Sequence, residues 1–514
     1  MHLRFGILLL ACTLPLAVSH AQEAPPASEW VGYHADTGRV ENLSAERAVV
    51  ASFPVEVEGA PWMRLHFSEI GLSGSEANGD TSIVRITSYY DGATQELDAR
   101  AAAQWRNTSA YFNGDTLQVE ILAYPNSGAS NVVLERVEAG VAAGVVKSQC
   151  GPTDDRVLSS DPRSARAMPV GCTAWLINDC NHCFLTAGHC CCSSLQVMEF
   201  NVPLSTGGGS IVHPPPQDQY AVDSTSIQSQ YTGIGGDWTY FGCFNNASTG
   251  MTAYQKQGDA YTLANPPAFN PSHVIRITGY GVDSSPNQNN QVQQTHSGPL
   301  FSISGTALYY QVDTEGGNSG SAVQLQTANG VAIGIHTNGG CGTSSGNSGT
   351  GVNNAALQAA LANPKGICKP TAKASTYCTA KVTSNGCTPA IGFSGLPSGS
   401  GATAFHVTAA TVINQKTGVL FYGYMKGNLA VFGGTLCIGG ALKRTTIQNS
   451  GGSASGTDCS GTFDFDMGAH ITSGVDPALG SGKSYFAQYW FRDSGFTPPN
   501  NVGLTNALEF NVGL

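Results

Sequence analysis

Two short stretches of this chain, Thr186-Ala187-Gly188-His189-Cys190 and Gly317-Asn318-Ser319-Gly320-Ser321, decide how the rest of the sequence is interpreted. The first places a histidine directly before a cysteine, and a disulfide from that cysteine can fix the loop that carries the imidazole. The second places a serine between glycines, which allow a tight turn whose backbone N–H groups converge on one point. Together they predict a site for nucleophilic chemistry.

A serine hydroxyl is a poor nucleophile at neutral pH, so it needs an imidazole to accept its proton and a carboxylate to orient that imidazole. His189 is the predicted base and Ser319 the predicted nucleophile, with the N–H groups of Gly317 and Ser319 facing the developing oxyanion. For the acid we select Asp237, which stands directly before the aromatic run Trp238-Thr239-Tyr240-Phe241. A short acidic residue that enters a buried strand suits an orienting carboxylate.

Three other residues compete for these roles. Asp218 and Asp223 are alternative acids, but both lie in polar surroundings that are typical of a solvated loop. Ser321 is an alternative nucleophile, and it follows the glycine turn instead of lying within it. A G-x-S-G string alone is often an ordinary turn, but the chain order histidine, aspartate, serine favours a catalytic triad.

The composition predicts an all-β protein with several domains. At 514 residues the chain is long enough for about three domains. Charged residues make up 11% of it and glycine is abundant at 63 residues, which favours turn-rich strands over charged amphipathic helices. Because the formal net charge is -11 and no basic run is present, we expect neither a nucleic-acid nor a membrane partner.

Residues 1–21 are predicted to be a signal peptide. His2 and Arg4 precede an apolar stretch that ends in Ser19-His20-Ala21, with small residues at the positions that signal peptidase reads, so cleavage is expected after Ala21. A lipoprotein signal with an acylated Cys12 is the weaker alternative. The mature protein is therefore expected outside the cytoplasm, either extracellular or periplasmic.

The cysteine count supports export. Of 15 cysteines, Cys12 leaves with the leader, and the remaining 15 - 1 = 14 permit seven disulfides. We expect Cys172 to pair with Cys190 across the loop of His189. Zinc is an alternative use of the cluster, because Cys180 and Cys183 have zinc-knuckle spacing, but no second well-spaced pair completes a tetrahedral set. No metal site is therefore predicted.

Three domains follow the leader. Residues 22–147 lack cysteine and contain alternating strand patterns, which predicts a β-sandwich that serves as a removable propeptide or accessory module, cut near Lys147 to Gly151. Residues 148–370 carry every catalytic motif and end in a helix predicted over 353–362. Residues 375–514 form a Gly-rich accessory β-sandwich with no site of its own and an unidentified ligand. Its cysteines predict two local disulfides, Cys378–Cys387 and Cys437–Cys459.

The T-A-G-H-C and D-T-E-G-G-N-S-G-S strings resemble those of chymotrypsin-like serine endopeptidases, and specifically the bacterial glutamyl endopeptidase branch. The resemblance covers roughly residues 148–370 and includes 153–156, which is similar to that branch's mature start. It implies a double β-barrel, an acyl-enzyme mechanism, protein or peptide substrates and no cofactor. It also implies that Thr337, Asn338 and Gly339 pair with the substrate backbone as an added strand. Because Asn318 is neutral, we expect no ion-pair activation switch of the trypsin-branch kind at this residue.

Two signals for specificity oppose each other. His336 lies where glutamyl-specific relatives place a histidine that meets the substrate carboxylate, and Thr314 is a possible second donor. Asp313, however, occupies the place where trypsin-like enzymes hold the carboxylate that selects Lys or Arg. We expect cleavage after Glu and keep cleavage after Lys or Arg as the alternative. A secreted binding protein with an inactive protease core is the alternative from another functional class.

Overall fold

The computed structural model describes residues 20–21, 23–141, 150, 152–179, 181–328, 330–341, 346–369, 373–399, 404–480 and 483–513. Most of the predicted leader lies outside these residues, as do Cys180, the linker residues 370–372 and most of the expected maturation site. Within the described chain, no helix is both long and apolar enough to cross a membrane. Strands dominate throughout, which confirms the predicted all-β class.

The described chain starts with β1 (His20–Ala21), and a β-sandwich of residues 28–140, here called the N-terminal module, follows it. The elements of the module are β2 (Ser28–Asp36), β3 (Ala48–Glu56), β4 (Trp62–Gly71), β5 (Ile83–Ser88), β6 (Thr94–Leu97), α1 (Ala99–Gln104), β7 (Phe112–Asn113), β8 (Thr116–Ala123) and β9 (Asn131–Gly140). Two four-stranded sheets, β2-β9-β4-β7 and β3-β8-β5-β6, make the sandwich. Along β8 every second side chain is buried, which is the pattern of a strand with one face on a core.

A double-barrel domain comes next. Its first half contains β10 (Val157–Leu158), β11 (Ser164–Pro169), β12 (Cys172–Leu176), β13 (Phe184–Thr186), β14 (Leu195–Glu199), β15 (Gln219–Tyr231), β16 (Asp237–Cys243) and α2 (Ala253–Gln257). Strands β11 to β16 close a six-stranded barrel in the order β11-β12-β13-β16-β15-β14. Every side chain of β12 and β13 is buried, because one face lines this barrel and the other packs against its surroundings.

The second half of the domain contains β17 (Thr262–Leu263), β18 (Val274–Gly279), β19 (Gln294–Ser304), β20 (Ala307–Tyr310), β21 (Ala322–Leu325), β22 (Val331–Gly339), β23 (Asn347–Gly351) and α3 (Ala355–Ala362). The order β22-β21-β18-β19-β20-β23, with β22 also paired to β23, closes a second six-stranded barrel. The predicted chymotrypsin-like double barrel is therefore confirmed. In α3, Asn354 caps the first turn by accepting hydrogen bonds from the N–H groups of Ala356 and Leu357.

A C-terminal domain completes the chain with β24 (Lys373–Tyr377), β25 (Ala390–Gly395), β26 (Phe405–Val412), β27 (Thr417–Gly423), β28 (Met425–Val431), β29 (Gly434–Gly439), β30 (Lys443–Asn449), β31 (Gly461–Asp466), α4 (Met467–Thr472), β32 (Ser484–Arg492) and β33 (Val502–Asn511). A five-stranded sheet, a three-stranded sheet and the β28–β29 hairpin build it. Short 3-10 turns lie elsewhere in the chain at Glu76–Asn78, Pro216–Asp218, Asn287–Asn289 and Gly366–Cys368.

The N-terminal module shares a hydrophobic core with the first barrel. Trp62 and Tyr111 of the module belong to the same buried cluster as Met168 and Val197 of the barrel. Beneath Tyr111 the barrel places His213, whose ring stacks on Tyr111 with 4.6 Å between centroids. The C-terminal domain, in contrast, has a main core made only of its own residues.

Six disulfides link the described cysteines. Cys172–Cys190 forms as expected. The others in the double-barrel domain are Cys150–Cys341, Cys183–Cys368 and the adjacent pair Cys191–Cys192. Because these cysteines are bonded to one another, they do not offer a thiolate set for zinc. Cys243 is a thiol, and its burial raises the pKa well above the ordinary value.

The two pairings predicted for the C-terminal domain are wrong. The structure joins Cys378 to Cys437 and Cys387 to Cys459, so each bond spans a long loop instead of a short one. The reason is strand order. The β28–β29 hairpin lies beside the end of β24, where the hydroxyl of Tyr377 donates to the carbonyl of Cys437 at 2.6 Å. The pairing of these cysteines is therefore set by which strands are neighbours in space and not by which cysteines are close in sequence.

Candidate active site

The loop of His189 is held in place by a disulfide and by a glycine. Cys190 bonds to Cys172 on β12, which ties the residue after His189 to the barrel wall. Gly188 lies so close to β15 that a Cβ atom there would be 1.9 Å from the carbonyl oxygen of Gln230. Only glycine allows this approach, and the approach brings the imidazole to the barrel rim.

Asp237 is the first residue of β16 and its side chain is about 1% exposed. Its Oδ1 accepts a hydrogen bond from the backbone N–H of His189 at 3.0 Å, and its Oδ2 contacts His189 Nδ1 at 2.7 Å. The backbone N–H of Asp237 donates to the hydroxyl of Thr350, on β23 of the second barrel, at 3.0 Å. Asp237 is therefore fixed by its carboxylate in the first barrel and by its backbone amide from the second.

Ser319 lies in a turn that only glycines can build. Gly317 and Gly320 have φ values of +99° and +91°, in the region that disfavours other residues. A Cβ at Gly320 would be 2.1 Å from the carbonyl oxygen of Thr173. The indole N–H of Trp175 donates to the carbonyl of Gly320 at 2.9 Å, and the N–H of Thr173 donates to the carbonyl of Ser319 at 2.8 Å. Strand β12 thus supports the turn from below.

The three predicted catalytic side chains form one hydrogen-bonded line. His189 Nε2 is 2.8 Å from Ser319 Oγ, while Nδ1 faces the Asp237 carboxylate. An ionised carboxylate only accepts hydrogen bonds, so Nδ1 carries the proton and Nε2 presents its lone pair to the serine hydroxyl. The carbonyl of Thr337 is a longer alternative acceptor for Ser319, at 3.2 Å. The line has the polarity that proton transfer from serine to imidazole requires.

The structure separates the competing residues from this line. The Asp218 carboxylate accepts a hydrogen bond from the side chain of Asn201 and is 2.9 Å from the ammonium of Lys256, while the Asp223 carboxylate accepts from the N–H of Ile367 at 2.8 Å. Both carboxylates are buried, not solvated as the sequence suggested. Ser321 is also buried, and its hydroxyl faces the backbone of Gly279.

Asp313 is occupied by the start of its own domain. One carboxylate oxygen accepts the N–H of Cys150 and the other accepts the N–H of Asp155, each at 2.9 Å. Its backbone N–H donates to His296 Nδ1 at 2.8 Å, and the residue is only 2% exposed. Asp313 therefore anchors Cys150 and Asp155 beside the second barrel.

His336 is fully buried on β22, in the strand next to the serine turn. The hydroxyl of Tyr310 lies 2.7 Å from His336 Nδ1. Burial, with a smaller contribution from His189, lowers the pKa of His336 to about 3, so the ring is neutral at physiological pH. Thr314 is also fully buried, and its hydroxyl accepts a hydrogen bond from Asn347 at 2.7 Å.

Thr337, Asn338 and Gly339 end β22 beside the serine turn. Strand β23 pairs with one edge of β22 as far as Asn338, which is opposite Ser348. Strand β21 pairs with the other edge only as far as Ile335. Beyond Ile335, β21 no longer pairs with this second edge of β22, and the edge borders Ser319.

Two residues at the site had no signal in the sequence. Thr350 fixes the amide of Asp237, but a lone threonine in a Gly/Ser-rich strand resembles many others. Tyr231 places its ring edge-on to His189 with 5.8 Å between centroids, and the tyrosine itself is 60% exposed. The pairing of Tyr231 with Asp237 across β15 and β16 brings it there, and this register could not be predicted from one strand alone.

Comparisons with known proteins give partial matches. No protein-family model matches the chain, and no curated protein matches it. One similar solved structure is a Glu endopeptidase in complex with MPD, with 21% identity and a TM-score of 0.30, covering 43% of this chain and 96% of that one. Another is a thermostable serine protease from an extremophilic microorganism, with 16% identity and a TM-score of 0.29, covering 37% and 90%. Both similarities leave more than half of this chain unmatched.

Proposed function

We propose that the chain is a serine endopeptidase that hydrolyses peptide bonds through His189, Asp237 and Ser319. The observation that carries the proposal is the continuous line from the Asp237 carboxylate through the imidazole to the serine hydroxyl, with contacts of 2.7 and 2.8 Å. As Ser319 Oγ attacks the substrate carbonyl carbon, its proton passes to His189 Nε2, and Asp237 stabilises the imidazolium. The N–H groups of Gly317 and Ser319 bind the oxyanion.

The acyl-enzyme then forms and breaks by the same groups. His189 gives its proton to the leaving amine, and a water molecule that this imidazole deprotonates attacks the acyl carbon. Collapse of the second tetrahedral intermediate returns the proton to Ser319 and releases the new carboxylate. These steps use side chains and backbone groups of this chain and one water molecule, so the proposal includes no cofactor.

The substrate is a protein or peptide that binds in an extended conformation. We propose that the substrate adds as an antiparallel strand to the edge of β22 at Thr337, Asn338 and Gly339, the edge with which β1 pairs in the structure. Because Ser319 Oγ is 3.2 Å from the carbonyl of Thr337, a strand on this edge brings its backbone to the nucleophile.

Glutamate is the residue that we propose before the cleaved bond. His336 is buried and neutral near the serine turn, and we propose that it donates a hydrogen bond that offsets the cost of burying the substrate carboxylate, with Thr314 as the second candidate donor. Selection of Lys or Arg requires a carboxylate that is free to pair with the substrate. Both oxygens of Asp313 already accept backbone N–H groups, which disfavours that alternative.

Secretion and maturation complete the proposal. Six disulfides suit an oxidising compartment, extracellular or periplasmic. A cut near Lys147 to Gly151 leaves Cys150 bonded to Cys341, so the new terminus stays beside the second barrel if the cut precedes Cys150. The N-terminal module then acts as a propeptide.

A fluorophosphonate probe tests the activity, because only an activated serine reacts with it. We expect labelling of the secreted protein at Ser319, loss of labelling in Ser319→Ala, and normal labelling in the matched variant Ser321→Ala. A peptide-library cleavage profile then measures the preference. Absence of labelling in the mature protein favours the alternative of a binding protein with an inactive core.

A further inference from the structure

The first described residues lie on the strand that is proposed to bind the substrate. Strand β1 pairs antiparallel with the end of β22, with His20 opposite Gly339 and Ala21 opposite Asn338. Since β23 covers the other edge of β22 at Asn338, β1 occupies the edge beside Ser319. This is the position of an added substrate strand.

The same segment continues across the opposite side of the nucleophile. The N–H of Ala24 donates to the carbonyl of Gly171 at 2.7 Å, and the carbonyl of Ala24 accepts from the side chain of Gln291 at 3.0 Å. Gly171 directly precedes Cys172, the disulfide partner of Cys190. A Cβ atom at position 171 would be 1.8 Å from the carbonyl oxygen of Ala24, so this contact requires Gly171.

These two contacts lie on either side of Ser319. On one side Ser319 Oγ is 3.2 Å from the carbonyl of Thr337, and on the other the N–H of Thr173 donates to the carbonyl of Ser319 at 2.8 Å. Ala21 lies on the side that binds the acyl part of a substrate and Ala24 on the side that binds the leaving group, so the described residues of the segment run from the acyl side of the cleft to the leaving-group side. This direction is that of a substrate.

The N-terminal module anchors this segment to the barrel. The carbonyl of Ala27 accepts the N–H of Val141, which joins the segment to the end of the sandwich. At the interface, the backbone N–H and carbonyl of Tyr111 both bond to the side chain of Gln219, at 2.9 and 2.8 Å. Likewise, the side-chain amide of Asn113 donates to the carbonyl of His213 and accepts from its backbone N–H. A segment tethered by such an interface has a high effective concentration at the site.

We infer that residues 20–21 and 23–24 block the active site in cis, as a substrate-like segment that the N-terminal module holds in place. This inference rests on the proposed function and adds its regulation: the enzyme is active only after this segment has left the cleft. The expected signal-peptidase cut after Ala21 removes β1, so it lifts the block on the acyl side and leaves Glu23 and Ala24 on the leaving-group side. Release of the module removes the rest.

Fluorophosphonate labelling of Ser319 also tests the block. The full chain is secreted from a foreign leader in two forms, one that begins at His20 and one that begins at Gln22. In the first form, Ala24→Pro removes the N–H that bonds to Gly171. Ala27→Pro is the matched control, because Ala27 bonds to Val141 of the N-terminal module through its carbonyl, which proline keeps. The labelling rate constant is measured by intact mass.

We expect Ala24→Pro to raise the labelling rate roughly fivefold, the effect of one net backbone hydrogen bond, and Ala27→Pro to leave it unchanged. The form that begins at Gln22 should label faster than the form that begins at His20, and proteolytic release of the module should give the highest rate. Equal rates in all forms overturn the block and leave the proposed function intact. If no form labels, even after release of the module, the proposed function fails and this inference fails with it.

Discussion

The backbone amide of Asp237 donates a hydrogen bond to the hydroxyl of Thr350, which joins the proposed acid of the first barrel to a strand of the second. Both groups are fully buried. In this fold the proposed base and acid come from the first barrel and the proposed nucleophile from the second, so their distances depend on how the barrels sit against each other. The contact from Thr350 is therefore a direct constraint on the geometry of the site.

Replacing Thr350 by Val should impair catalysis without preventing folding. Valine has nearly the same shape but leaves the N–H of Asp237 without an acceptor, at a cost of about 1–3 kcal/mol. We expect kcat to fall roughly tenfold because the carboxylate shifts, while KM changes little. Thr350→Ser restores the hydroxyl and should recover most of kcat. An equal loss in Thr350→Ser would show that the methyl group, and not the hydrogen bond, matters.

The triad should behave as a single unit. Ser319→Ala should reduce kcat about a million-fold, and adding His189→Ala to it should reduce kcat little further, because each residue acts only through the others. Ser321→Ala, whose hydroxyl faces Gly279, is the control and should keep activity within a fewfold of the wild type. Hydrolysis of a small peptide ester measures each variant. A strong loss in Ser321→Ala alone would reject the choice of nucleophile.

Cleavage after Glu should not depend on Asp313. The carboxylate of Asp313 holds the backbone of Cys150 and Asp155, so Asp313→Asn should lower stability and leave the Glu preference unchanged. His336→Phe, in contrast, removes the ring nitrogens and should reduce kcat/KM on Glu substrates by at least tenfold more than on Gln substrates. A peptide pair that differs only at this position measures both effects. Cleavage confined to Lys and Arg sites would make Asp313 the selector instead.

The sequence was most informative where local chemistry decides the structure. Gly317 and Gly320 are needed by a turn of positive φ, and that requirement is visible in a five-residue string. The contact between Asp237 and Thr350 depends on the packing of two barrels, which no local pattern encodes. The C-terminal cysteines show the same limit. Cys378 is near Cys387 in sequence, but strand order brings it to Cys437.

Acid should destabilise the protein through its buried histidines. Burial lowers the pKa of His336 to about 3, whereas a histidine in the unfolded chain titrates near 6.5. The unfolded state therefore binds more protons between these values, so the stability present above pH 6.5 is lost as the pH falls toward 3. At pH 5 this single residue should cost about 2 kcal/mol relative to pH 7.

Urea unfolding of Ser319→Ala, which avoids self-digestion, measures this pH dependence at pH 7 and pH 5. Adding His336→Gln should reduce the difference between the two pH values by about 2 kcal/mol, whatever its effect on absolute stability. His213, whose pKa is also lowered by burial, should keep part of the dependence in the variant. An unchanged difference in the double variant would mean that His336 is not held neutral in the fold.

The C-terminal domain should be dispensable for the chemistry. All proposed catalytic residues precede residue 370, and the domain has its own core and its own two disulfides. Its contact with the double barrel includes Lys426, whose ammonium lies 5.4 Å from the ring centroid of Tyr254. Within the C-terminal domain, the same ammonium lies 2.8 Å from the carboxylate of Glu509. A chain that ends after residue 372 keeps the Cys183–Cys368 disulfide, so the double barrel should remain closed.

We expect this truncated enzyme to hydrolyse a small peptide ester within threefold of the full chain, because the site loses no contact, and to lose activity only on large or surface-bound substrates. Lys426→Ala in the full chain is the matched control for the interface alone. A truncated protein that is folded by circular dichroism yet inactive on the ester would show that the C-terminal domain supports the site itself.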